Sequence, residues 1–130
     1  MPPLARWYIK SAMIYLIAGL LVGAIPPALA IAGPTYVHLL VVGWITQMIF
    51  GVAYWMFPKY SAEAPRGGNA VAIATFILLN VGLVLRVVAE PLRAMHPESL
   101  PGWLLVVAGI AQAAAALGFA LNTWPRVKVR

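Results

Sequence analysis

Residues 35–58 (TYVHLLVVGWITQMIFGVAYWMFP) limit what this chain can fold into more than any other stretch. The run is long and apolar enough to cross a bilayer, whose hydrocarbon core of about 30 Å takes about 20 residues of helix. Three further apolar runs of that length predict an all-α fold, an integral membrane four-helix bundle forming one domain. The helices fall at about 10–32, 35–57, 70–90 and 102–122. Composition agrees, with 63% hydrophobic and only 9% charged residues among 130. A soluble domain carries roughly a quarter charged residues.

Breaks in the pattern set the connections. Pro26 and Pro27 fall inside the first run and predict a kink or an early end. Gly33-Pro34 predicts a tight turn, which makes the first two helices antiparallel neighbours. Residues 59–69 (KYSAEAPRGGN) and 92–101 (LRAMHPESLP) predict aqueous loops. Gly19 and Gly23 form a small-residue pair suited to close helix approach, and the small residues of 108–118 suit tight packing within or between chains. Arg6 and Lys10, then an apolar run, then Ala28-Leu29-Ala30, resemble a secretory signal. The apolar character continues through Ala32, which favours a retained first helix.

The formal net charge of +6 reflects topology, with no nucleic acid partner implied, because the cations sit mainly at helix ends. Arg6, Lys10, Lys59, Arg66, Arg126, Lys128 and Arg130 share one side, and Arg93 lies on the other. The positive-inside rule then places both termini in the cytoplasm, the N-in/C-in arrangement of a bacterial or archaeal inner-membrane protein. Trp7, Tyr8, Trp55, Tyr60, Trp103 and Trp124 cluster at helix ends, where aromatic belts meet the lipid headgroups. With no cysteine, disulfides, thiolate metal sites, iron–sulfur clusters and covalently attached haem are excluded.

One ionisable residue, His38, lies near the start of the second run. An ionisable group at that depth is a candidate for function by default. The expected topology puts His38 about one turn below the outer surface and Arg86 about 6 Å from the outer end of helix three. Arg86 and Glu90 are four apart and share a helix face. An imidazole and a guanidinium at matched depth suit a haem, one for the iron and one for a propionate. The residues equally allow an interfacial His38 beside an Arg86 that reaches outward to Glu90.

Val37-His38 with Gly43-Trp44, followed by Phe50-Gly51, Tyr54 and Pro58, resembles one helix of the haem–copper oxidase catalytic subunit. It is closest to the C-type (cytochrome cbb) oxidases and the related nitric oxide reductases. By spacing to Gly43-Trp44, His38 is similar to the histidine that ligates the low-spin haem in that family. Tyr36 stands where the high-spin haem ligand would be. The resemblance implies one b-type haem on His38, with Arg86 or Arg93 toward the propionates; as aromatic residues, Trp44 and Tyr54 suit either the flank of a porphyrin or ordinary helix packing. It implies no copper, because His38 and His96 are the only histidines, and so no reduction of oxygen or nitric oxide by this chain alone. Electron transfer, or haem or gas handling with a respiratory-chain partner, is what remains.

A second axial ligand would come from Met95 or His96 folding inward, or from another copy. The family subunit arranges twelve helices as three four-helix arcs, so a homotrimer is slightly favoured over a two-fold dimer in the lipid bilayer. A cofactor-free accessory or assembly subunit of a respiratory oxidase or reductase is the alternative. A small transporter ranks last, since only Gln47, Asn80 and Gln112 supply polarity at mid-membrane.

Overall fold

The computed structural model describes residues 1–127, apart from the side chains of 28–30. Its helices are α1 (Pro3–Gly23), α2 (Pro26–His38), a π-helical stretch (Leu39–Thr46) running straight into α3 (Gln47–Met56), α4 (Asn69–Met95) and α5 (Trp103–Thr123). A short 3₁₀ turn, Trp124–Arg126, follows. No strand occurs among the described residues. Four helical spans are long and apolar enough to cross a membrane. Lys128 and Arg130, expected among the inner cations, lie outside the described residues.

The helix boundaries differ from the sequence expectation at three prolines, each time for a local reason. The first helix starts at Pro3 and ends at Gly23, the early end that Pro26 and Pro27 predict, and Pro26 opens a further helical piece that leads into the second span, Ile31–Met56. Ile25 is extended (φ −112°, ψ 98°), the conformation a following proline imposes, and Pro26 opens the next helix where no amide donor is needed. Gly33-Pro34 makes no tight turn, but the helix is kinked just before it, where Ala32 leaves helical angles (φ −113°, ψ 25°) between two helical pieces. Pro91 likewise does not end α4, which continues to Met95. A proline near a helix end removes one backbone bond, and the turns on either side continue.

The π-helical stretch follows from a spacing of four. Thr35, Leu39, Gly43, Gln47 and Gly51 are all buried, whereas Val37, Val41, Ile45 and Ile49 are all exposed. Each four-residue step in an α-helix overshoots a full turn by about 40°, so this pattern would spiral off the packing face. The wider i→i+5 turn cancels the drift. The Thr46 hydroxyl donates to the carbonyl of Val41 at 2.9 Å, one such five-residue step.

Two hairpins make the bundle. In the first, tyrosine side chains lie over glycines: Tyr15 over Gly43, the Tyr8 Cβ over Gly51 and the Tyr36 ring over Gly23, while Gly19 meets Leu40. The Gly19/Gly23 pair thus serves the contact between the first two spans. In the second hairpin, Gly82 of α4 lies against the backbone of Ala108, and Gly118 of α5 against the Thr75 hydroxyl. The small residues of 108–118 that face α4 close this seam inside the chain.

The hairpins meet where α2 and the π-helical stretch lie on α4. An aromatic core ties all four spans together: Tyr8 meets Phe76 edge-on at 4.9 Å, and Phe50 stacks on Phe119 at 3.9 Å. Above it a polar knot crosses three spans. The amide oxygen of Asn80 accepts from Gln47 Nε2 and from the Tyr15 hydroxyl, both at 3.0 Å. Asn80→Leu strands both donors in an apolar interior; the thermal unfolding midpoint in detergent should fall by the equivalent of about 1 kcal/mol. An unchanged midpoint would mean that the knot adds nothing to stability.

At one end of the bundle the chain start, the 57–68 segment and the 124–127 segment come together. Arg126, only 1% exposed, donates to the carbonyls of Tyr54 (2.9 Å), Phe57 (2.8 Å) and Pro58 (3.0 Å). These are carbonyls that the end of α3 leaves without a next turn. Asn122 Nδ2 donates to the Arg66 carbonyl at 3.2 Å. This basic end holds Arg6, Lys10, Lys59, Arg66 and Arg126; the 24–25 turn and the 96–102 loop form the opposite end.

Candidate functional site

Near the opposite end, one carboxylate gathers the polar side chains of three elements. Glu90 Oε1 accepts from Arg86 Nη1 at 2.8 Å, one turn back along α4. Its other oxygen accepts from the Thr35 hydroxyl at 3.2 Å and stands 3.9 Å from His38 Nδ1. Arg86 Nη2 also reaches the Leu105 carbonyl of α5 at 3.5 Å, and its guanidinium lies over Gly109. The Glu90 side chain is 13% exposed, so the pair sits in a low dielectric, where a carboxylate without its partner is strongly disfavoured. Glu90 thereby joins α2 of the first hairpin to α4 and α5 of the second.

His38 is held within the same cluster. Its Nδ1 lies 2.8 Å from the Pro34 carbonyl, an acceptor only, so Nδ1 carries the proton and donates. In the neutral ring Nε2 then holds the free lone pair. A histidine whose first nitrogen is tied to a carbonyl, with a carboxylate nearby, is arranged like the metal-binding histidines of many proteins. The side chain is 28% exposed, at the rim of the face carrying Val37 and Val41. The same arrangement also serves a proton acceptor or a plain helix contact.

The structure thus brings His38 and Arg86 into one cluster, through Glu90, whose role as the link between hairpins was not legible as such. The other expected site residues are placed elsewhere. The Tyr36 ring packs against Gly23 of α1. Trp44 is half-buried in the π-helical stretch. Arg93 Nη1 donates to the Leu100 carbonyl, and its guanidinium covers Gly102, pinning the 96–102 loop. His96 caps α4, exposed, with its carbonyl accepting from Ser99.

Among the described residues, no three His, Cys, Asp or Glu side chains come together as a metal-ion site. Clefts of about 430 and 400 Å³ lie at the basic end, and one of about 520 Å³ lies along Met48, Val52 and Met56 on the outside of α3. None of the three is lined by His38. The imidazole has a lone-pair nitrogen to offer a macrocycle, but none of these three clefts would wall one there. No family model, curated protein or solved structure matches this sequence.

Proposed function

We propose that this chain is a b-type haem-binding membrane protein, with Nε2 of His38 as an axial ligand. The observation that carries the reading is the Nδ1 donation to Pro34, which fixes the ring and leaves Nε2 as the lone-pair nitrogen. Bound haem supplies one-electron exchange or gas ligation. The chain's own residues orient the ring through Pro34 and the nearby Glu90, and exclude water with the apolar surface of α2. His38 stands at the rim of an exposed face, so a haem there would need a further ligand and walls, from Met95 or His96 folding inward or from a second copy. A homotrimer is slightly favoured over a dimer. The basic end faces the cytoplasm of a bacterial or archaeal inner membrane, and a respiratory-chain partner exchanges the electron.

A reduced-minus-oxidised absorption spectrum of the purified protein tests this. The wild type should show b-type bands, and His38→Ala should lose nearly all of them. Bands that survive the substitution would remove His38 from the role.

A second reading is a cofactor-free accessory subunit of a respiratory oxidase or reductase. What favours it is the linkage of Arg86, Glu90, Thr35 and the Leu105 carbonyl into one network within a single chain. It expects colourless protein that co-purifies with a larger membrane enzyme.

A further inference from the structure

We propose that the cleft between Arg6 and Lys10 on α1 binds the phosphate of an anionic phospholipid headgroup. This inference is independent of the haem reading and concerns the opposite end of the bundle.

Pro3, Arg6, Trp7 and Lys10 line a cleft of about 240 Å³ at the start of α1. Arg6 and Lys10 are four apart, so both cations project from one helix face one turn from each other. Two cations at that separation can share one phosphate, each donating to a different oxygen. Trp7 is 60% exposed, and Lys10 Nζ stands 5.9 Å from its ring centroid. The contact holds the ammonium beside an aromatic ring of the kind that settles at headgroup level.

Charge complementarity identifies the ligand. The chain has three acidic residues, Glu63, Glu90 and Glu98. Glu90 is engaged at the opposite end, Glu98 lies in the 96–102 loop, and Glu63 lines the neighbouring cleft. The Arg86–Glu90 ion pair and the His38 contact beside it both use Glu90, and neither Arg6 nor Lys10 takes part in them. Beyond Lys10, α1 carries no charge through to Gly23. The two cations therefore stand at the boundary between headgroups and acyl chains, where the available anion is a lipid phosphate. A zwitterionic headgroup already pairs its phosphate with its own ammonium; an anionic one does not.

Native mass spectrometry of the detergent-purified protein, offered phosphatidylglycerol and phosphatidylcholine at equal concentration, tests the proposal. Phosphatidylglycerol should be retained preferentially, and Arg6→Gln or Lys10→Gln should each lower its retention about five-fold, the size expected for one cation at an anionic surface. Lys10→Arg should keep retention, which separates lost charge from lost fold. Arg66→Gln removes one charge from the same end and should leave retention unchanged. Equal retention of the two lipids, or an Arg66→Gln loss as large as that of Arg6→Gln, would overturn the site. Competition by glycerol phosphate at equal concentration would overturn the lipid as its ligand and leave a soluble phosphate.

Discussion

Glu90→Ala should destabilise the protein by about 3 kcal/mol, the range found when one partner of a buried ion pair is removed. The substitution leaves the Arg86 guanidinium charged and 19% exposed, with its Nε already buried and without a hydrogen bond. It also releases the Thr35 hydroxyl and the His38 contact, so the junction between the hairpins loses two attachments together. Removing both charges should do less harm than removing one, because a buried pair replaced by apolar groups is often close to neutral. Arg86→Leu/Glu90→Ala should therefore recover most of the loss. The unfolding midpoints of both variants in one detergent decide the matter. A double variant less stable than the single one would show that Arg86 stabilises the bundle without Glu90.

Gly82→Leu should cost a comparable amount, about 3 kcal/mol, at the upper end of what overpacking a close seam does. A Cβ at Gly82 would stand 2.9 Å from the Ala108 carbonyl oxygen and 3.0 Å from the Ala111 Cβ. The first neighbour is backbone and cannot rotate away, so α4 and α5 must separate. The sharper test is the sign of Gly82→Ala. Alanine inside a helix normally gains roughly 0.5–1 kcal/mol over glycine. Here that gain should be reversed by the contact with the Ala108 carbonyl. A stabilised Gly82→Ala would mean that the seam is looser than its distances indicate.

How much of the site was legible in the sequence depended on distance along the chain. Arg86 and Glu90 are four apart, so their pairing is written into helix geometry and holds at 2.8 Å. The contacts of Glu90 with Thr35 and His38 cross more than fifty residues, and no local spacing carries them. Arg126 shows the same limit. As one of several basic residues near the chain end it reads as a topological charge, yet three carbonyls of the α3 end hold it buried. The π-helical stretch did leave a signal, the spacing of four from Thr35 to Gly51. That signal becomes readable only when both a buried and an exposed series keep the same step.

Solvent and class follow from the residues alone: apolar runs of bilayer length with charges at their ends form helices in lipid, because no other open structure satisfies its backbone there. The sequence also marked the glycines at which helices can approach closely. Which tyrosine covers which glycine, where the first break falls, and how one carboxylate ties the hairpins together were decided by tertiary structure. Those outcomes rest on packing and hydrogen bonding between residues far apart in the chain, and hydropathy is blind to them because lipid-facing and helix-facing positions are equally apolar.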